Sequence, residues 1–564
     1  MKVRAGLATV TGEKLYRLWI PLAALLAVLP LLVKGPSCGH DFNFHLSNWM
    51  EVQQQWGHGV WLPRWHFHAA WGAGEPRLLF YPPMSWLLGA VLGSVLPWTI
   101  VPAIFTWIAL TLSGFTMHRL ARAYAGSPVA VFAACFYLAN PYMLFVAYER
   151  TAYAELLAAA WMPLLLFEML RPRLRVVQVA WVVALLWLTN APAAVIGCYT
   201  LAFLAAIRLG LLLWRRASWP DTREALLRPC IAVALGLGLA AFYVVPAAYE
   251  QRWVQIHMAT LPGILPWDSF LFGHNGIPEH DAILHTVSMT AVFVFGIALV
   301  CGAIVTLRRD TKETDVPRML LAVAVVLFLL LTPVSLMFWR LAPRVQFLQF
   351  PWRLASMGGA VAAVLLALAL ARWGRARWPM LVCGLLLTFG CGMGANHLFR
   401  QYCDEEDAVA PFRAAFESGQ GMMPTDEYTV PDADNDSLAV HNPPHWLAQT
   451  DEDKPPAGEV VNVIAIRSRD PYRFAYMVPA VDARFLILNL RAFHDWHVRL
   501  NGAEVTRWTK RTDGLFAIRL PNHAPAEIEV SFVRTTDQWV GIGLSVLSLI
   551  AVLLWPLERR GSAS

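Results

Sequence analysis

Runs of roughly 17 to 25 apolar residues recur along most of this chain, each long enough to cross the hydrocarbon of a bilayer as a helix. They lie near 15–33, 100–118, 127–148, 152–170, 176–190, 192–213, 229–248, 287–307, 317–339, 353–371, 378–396 and 538–556. One more, 79–97, opens with Tyr81-Pro82-Pro83. Basic clusters punctuate the runs: Lys2/Arg4/Lys14/Arg17, Arg119/Arg122, Arg171/Arg173/Arg175, Arg215/Arg216, Arg308/Arg309/Lys312, Arg372/Arg375/Arg377 and Arg559/Arg560. Basic loops face the cytoplasm, so an even number of crossings must separate consecutive clusters. That parity holds beyond the first two clusters. At the start, it requires that 79–97 or 100–118 does not cross, and we assign 79–97 as re-entrant or interfacial. The pattern predicts a polytopic α-helical membrane protein of about twelve crossings with both ends cytoplasmic. The run from Leu15 to Val33 is long and lacks a small-x-small cleavage site after it, so it reads as an uncleaved first span.

The pattern changes after residue 396. Residues 397–537 are polar and rich in Asp, Glu, Pro and Asn, and their second half alternates. "RFLILNLRAFHDWHVRLNG" and "GLFAIRLPNHAPAEIEVSFVR" predict strands, with Asn501-Gly502 as a hairpin turn, whereas "PDADNDSLAVHNPPHW" reads as loop. The expected organisation is a transmembrane domain over 1–396 with a first external loop at 35–78, an extracytoplasmic β-rich domain over 397–537, and a final span and tail over 538–564. Segments 249–286 and 340–352 also face outward. This places the chain in a membrane, with the large C-terminal domain on the outer side.

Composition agrees. Of 564 residues 57% are hydrophobic and only 15% charged, against about 25% in soluble domains. The 25 Trp and 14 Tyr cluster near segment ends, where amphipathic rings sit at the interface. The net charge of +6 comes largely from short basic loops, so it reports topology and no nucleic-acid partner. Six of eight cysteines fall in apolar segments. Cys38 and Cys403 fall in external loops, where a disulfide and two free thiols are both open.

Candidate chemistry begins at "GHDFNFH" (39–45), just past the first span. Asp41 to Trp56 forms an amphipathic pattern, with Phe42, Leu46, Trp49 and Met50 on one side. Asp41, His45 and Asn48 share another, toward a cavity. Asp41 either caps this helix or acts chemically, with His40 and His45 in support. Arg150 and Glu155 sit where two spans meet outside, and Arg353 follows Phe350-Pro351-Trp352 at another outer span end. Ionisable groups at such depth are costly and often functional, but an ion pair of Arg150 with Glu149 or Glu155, or snorkelling, is the structural alternative. Glu75 and Arg77 read as a cavity border or a solvated loop pair. The loop "FGHNGIPEHDAILH" carries His280 and Asp281 as candidate ligands for a divalent cation, or is an ordinary polar loop. His66-x-His68 has zinc-like spacing without a third ligand. Asn190 fits a backbone-bonding role near Pro192, and "GLGLAAF" fits helix packing.

Asp41, Trp61-Leu62-Pro63-Arg64 and Pro82-Pro83 together resemble the first external loop of the GT-C glycosyltransferases, in particular the branch that transfers aminoarabinose or mannose. The acidic pair of that loop is reduced here to one acid, since Phe42 follows Asp41. "YERTAYAELLAAAWMPLLL" (148–166), "LTNAPAAVIG" (188–197) and "LQFPWRLAS" (348–356) resemble the bacterial membrane family related to 6-pyruvoyl-tetrahydropterin synthase by name. The C-terminal strands resemble those of YfhO-like chains. The resemblance implies inverting transfer of a sugar from a polyprenyl-phosphate-linked donor to a glycan, lipid or protein acceptor at the outer face. Asp41 would be general base and Arg150 and Arg353 would hold the lipid phosphate, with a divalent cation as an optional cofactor. A lipid-linked sugar transporter and a non-catalytic envelope scaffold are the alternatives.

Overall fold

Apolar side chains on nearly every face leave the long apolar runs of the first 400 residues little choice but helix, because backbone polar groups in an apolar setting must bond within their own segment. A computed structural model describes residues 2–263, 265–307, 315–342, 344–371, 377–456, 463–506 and 508–555. The basic clusters Arg308/Arg309/Lys312 and Arg559/Arg560, and Arg372 and Arg375, lie outside the described residues.

Seven helices are long and apolar enough to cross a membrane among the described residues: Tyr16–Lys34, Val101–Ala121, Ala191–Trp214, Pro278–Leu307, Pro351–Leu370, Arg377–Leu398 and Thr536–Leu553. Three bent pairs raise this to ten: Ser127–Leu138 with Pro141–Arg150 (40°), Trp219–Leu239 with Ala241–Trp253 (79°), and Asp315–Leu330 with Pro333–Leu341 (90°). The count falls short of twelve because charge parity sees apolar length and not breaks. Residues 152–170 split into Tyr153–Ala158, one tight turn, and Met162–Met169, and Val176–Thr189 has only 14 residues. Two breaks resume at Pro141 and Pro333, where a missing N–H is harmless only in a first turn. The 79–97 segment forms a short apolar helix, Pro83–Val95. It packs on helix Phe42–Gly57.

The C-terminal strands are β1 His445–Ala448, β2 Ile464–Arg467, β3 Arg473–Val478, β4 Phe485–Arg491, β5 Trp496–Leu500, β6 Ala503–Glu504, β7 Thr509–Lys510, β8 Leu515–Arg519 and β9 Ala526–Phe532. They form antiparallel sheets of order β1-β4-β8-β7 and β2-β3-β9-β5-β6. One core joins them, with Leu486, Leu488, Phe516 and Ile518 from the first sheet and Trp496, Val498, Ile528 and Val530 from the second. The sheets thus pack face to face as a sandwich. β5 turns into β6 at Asn501-Gly502, both at positive φ (50° and 80°), as a two-residue hairpin demands. "PDADNDSLAVHNPPHW" is loop and short turns until β1 takes its last two residues.

The loop between the first two long helices, residues 35–78, threads into this sandwich. Trp65 packs on Phe493, Trp496 and Phe532, and the backbone N–H groups of Arg64 and Trp65 donate to Tyr472 Oη at 2.9 and 3.1 Å. Tyr472 in turn donates to Gln55 Oε1 at 3.0 Å. Arg64, the last residue of Trp61-Leu62-Pro63-Arg64, and Trp65 therefore dock the loop on the β-domain, whereas Trp61 is exposed. Cys38 and Cys403 are paired in a disulfide, 365 residues apart in sequence.

Candidate functional site

Ser37 to Asp41 lie on the backbone of residues 148–150. Ser37 Oγ donates to Tyr148 O at 2.5 Å, and Asp41 N donates to Arg150 O at 3.0 Å. Gly39 is required there, because a Cβ would lie 2.0 Å from Glu149 O. This contact delivers Asp41 to Arg150. Asp41 stands at the N-terminus of helix Phe42–Gly57 but makes no side-chain capping bond; its Oδ2 instead accepts from Arg150 Nη2 at 3.1 Å.

A chain of opposite charges continues inward. Arg150 Nη1 donates to Glu155 Oε2 at 2.7 Å, and Arg353 Nε lies 3.5 Å from the same oxygen. Tyr142 Oη donates to Glu155 Oε1 at 2.5 Å. The Asp41 side chain is 37% exposed, whereas those of Arg150, Glu155 and Arg353 are 8%, 6% and 11% exposed. One open carboxylate thus leads into two buried guanidiniums held by one buried carboxylate. Local breaks place these groups: a wide π turn covers Val146–Arg150, Thr151 follows in the left-handed region at φ 47°, and Arg353 lies in a tight turn, Pro351–Leu354. Beside it an apolar cavity of about 140 Å³ is lined by Tyr199, Phe203, Leu327, Trp339, Leu348 and Leu354. Leu354 follows Arg353 in the chain, and Leu348 offers its carbonyl to Arg353 Nη1 at 3.2 Å.

His45 lies one turn after Asp41, buried among Phe44, Trp49, Tyr81 and Tyr153. Neither ring nitrogen has a hydrogen-bond partner. Burial lowers its pKa to about 4; Asp41 opposes that shift and Arg150 adds to it. Asn48, next along the stripe, is buried with both side-chain polar atoms unpartnered. His40, in contrast, is exposed and stands outside the charge chain.

Other sequence candidates have different surroundings. Glu75 and Arg77 are not a solvated loop pair. Both are buried, paired with each other, and tied to Ser47 and to Thr425 of the C-terminal region (Arg77 Nη1–Ser47 Oγ 3.2 Å, Arg77 Nη2–Thr425 Oγ1 2.6 Å). The β-domain side supplies the cover that loop composition concealed. His66 and His68 both approach Glu51 Oε2, at 3.3 and 2.7 Å, and Ala69 N donates to His66 Nδ1. Burial lowers His66 to about 3 against the opposing pull of Glu51. Burial works to raise the Glu51 carboxyl, yet His66, His68 and Gln55 together hold it below the ordinary carboxylate range. His280 and Asp281 diverge. His280 Nε2 is 3.3 Å from Ser269 Oγ, while Asp281 Oδ1 accepts from Asn275 N at 2.9 Å and so closes its own loop. No group of three ligands among the described residues includes either. Asn190 caps the next helix through Ala193 N, and Gly236 packs tightly on Val183. Tyr142 carries no sequence signal that separates it from other aromatic residues near span ends.

No family model matches this sequence, and no curated protein matches it. Among solved structures, it is similar to the cryo-EM structure of the arabinofuranosyltransferase AftD from Mycobacteria (15% identity over 68% of this chain and 27% of that one, TM-score 0.42). It is also similar to ArnT from Cupriavidus metallidurans bound to undecaprenyl phosphate (13% identity, 64% of this chain and 77% of that one, TM-score 0.28). The chain thus spans about a quarter of the length of AftD. At these scores the likeness assigns neither fold nor activity.

Proposed function

We propose that this chain is a GT-C-type glycosyltransferase that moves a sugar from a polyprenyl-phosphate-linked donor to a glycan, lipid or protein acceptor at the outer face of the bacterial inner membrane. The observation that carries the reading is the half-open charge chain Asp41–Arg150–Glu155–Arg353 beside an apolar cavity. A lipid-linked sugar keeps its tail in apolar surroundings while its phosphate and sugar reach the polar side, and this arrangement offers both. The sequence resemblance of the first external loop supports the same reading.

In the proposed transfer the acceptor hydroxyl oxygen attacks the anomeric carbon from the face opposite the phosphate. The bond from that carbon to the phosphate oxygen breaks, the polyprenyl phosphate leaves, and the anomeric configuration inverts. Asp41, the exposed member, takes the hydroxyl proton; such a base contributes about 10²–10⁴-fold. Arg150 and Arg353 face the negative charge that grows on the leaving phosphate. Glu155, itself held by Tyr142, holds the two guanidiniums before the donor arrives, so little reorganisation accompanies reaction. Arg150 already fills the side of Asp41 that a cation would take, and Glu155 is engaged by Arg150, Arg353 and Tyr142. These residues do not fit a divalent cation, and no step is routed through one.

The test is transfer from a panel of radiolabelled polyprenyl-phosphate sugars in nanodiscs, with wild type and Arg353→Gln compared. The expected result is product from the wild type and at least a tenfold rise in donor KM in Arg353→Gln. Donor lipid that crosses vesicles without transfer would instead establish a transporter. Neither transfer nor movement across the panel would leave the ion network as a purely structural element of a scaffold.

A further inference from the structure

A second polar cluster joins the outer end of helix Ala241–Glu250 to the β4–β5 loop and the last helix. Glu250 and Asp495 are both 0% exposed. Gln538 donates to one oxygen of each: its Nε2 lies 2.9 Å from Glu250 Oε1 and 2.7 Å from Asp495 Oδ2. Arg64 Nη1 fixes that amide by donating to Gln538 Oε1 at 2.6 Å. The other two oxygens, Glu250 Oε2 and Asp495 Oδ1, accept no hydrogen bond. They face His494 Nε2 at 3.5 and 2.9 Å, and this nitrogen has no hydrogen-bond partner either. Trp253 stacks on the His494 ring with centroids 3.7 Å apart and so fixes its direction. The three ligand atoms lie within 4.8 Å of one another, which no other group of three does among the described residues. Asp537 lies within hydrogen-bonding reach of Glu250, and its Oδ2 has no donor facing it.

Buried carboxylate oxygens without donors are costly, and native folds leave few of them. Here an amide saturates one oxygen of each acid and leaves the other aimed at an imidazole nitrogen, the division of labour found around metal ligands. The separations of 2.9 and 3.5 Å bracket the roughly 3.3 Å between ligands on a tetrahedral ion with bonds near 2.0–2.1 Å. We infer that Glu250 Oε2, Asp495 Oδ1 and His494 Nε2 bind one divalent cation, with Asp537 or water in the remaining position. A nitrogen and two carboxylates suit Zn²⁺ or Mn²⁺ better than Ca²⁺ or Mg²⁺, which prefer oxygen-only sets. The ion ties a membrane-side helix, the β-domain and the final helix at one point. This site is separate from the Asp41 chain and does not rest on the transfer reading.

The test uses the full chain in detergent, stripped with chelator and then exposed separately to ZnCl₂, MnCl₂, CaCl₂ and MgCl₂ before desalting. Metal per chain and unfolding temperature are measured. Close to one Zn²⁺ or Mn²⁺ retained by the wild type, with a raised unfolding temperature, is expected. Glu250→Gln and His494→Gln should retain under a tenth of that, while Asp281→Asn should keep it. Cobalt absorption of the wild type gives a readout that needs no variant, with bands of a nitrogen–oxygen site expected. Failure of the wild type to retain Zn²⁺ or Mn²⁺, cobalt spectra of the free ion, or equal retention by both ligand variants would overturn the assignment.

Discussion

Glu155 is the residue on which the proposed site turns structurally, since two buried guanidiniums share its carboxylate. Removing one partner from a buried ion pair leaves uncompensated charge, at a cost of about 3–5 kcal/mol. Glu155→Gln should therefore lower the unfolding temperature more than Tyr142→Phe, which removes one hydrogen bond to a carboxylate, worth about 1.5–3 kcal/mol. Thermal unfolding of both variants in the same detergent checks the order. The buried histidines make a pH prediction. His45 and His66 titrate at about 4 and about 3 in the folded chain, against 6.5 ordinarily. Below 6.5 the unfolded chain takes up protons that the folded chain refuses, so their stabilisation is complete above 6.5 and is lost as pH falls toward those values. Each adds a slope of up to about 1.4 kcal/mol per pH unit. Glu51, Arg77 and His68 face His66, and Glu51 adds loss in the same direction only below its ordinary 4.5. The slope of unfolding temperature between pH 7 and 4 should shrink in His66→Gln; an unchanged slope would remove His66 from this role.

At the level of elements, the 35–78 loop and the β-domain behave as one body. Trp65 from the loop fills a space among Phe493, Trp496 and Phe532. Its truncation to alanine should cost about 3–5 kcal/mol and should expose the 397–537 region to protease, as limited proteolysis can show. The disulfide fastens the same two parts, so Cys38 and Cys403 should take up maleimide only after reduction. The sequence left this pairing open because each cysteine sits alone in its own loop. It also left Glu75 and Arg77 looking solvated, because their cover comes from Thr425, some 350 residues away in sequence. Strands were readable from alternation and the Asn501-Gly502 turn, for these signals are local. Breaks inside the apolar runs were not, since a bend such as the one between Leu138 and Pro141 leaves apolar length unchanged.

For the whole molecule, cost was the useful signal. Charge is expensive beside apolar spans, and that pointed to Arg150, Glu155 and Arg353 in the sequence, whereas Asp41 stood out by its place just past the first span and by the resemblance of its loop. The Arg150–Glu155 pair was among the arrangements the sequence offered, but the links to Asp41 and Arg353 were hidden, because the first depends on where Gly39 lets one segment lie on another's backbone. Tyr142 and the Glu250–His494–Asp495 group stayed hidden for a related reason: long-range packing assembles them from residues ordinary in their own segments. The central claim is that Asp41 is the base of a sugar transfer, and the most direct measurement is the single-turnover transfer rate of wild type and Asp41→Asn at saturating donor. Unfolding temperatures should be taken on the same preparations. The expected result is a fall of at least a hundredfold in rate with donor KM within a few fold and stability retained. Equal rates from both proteins would contradict it and place the base elsewhere.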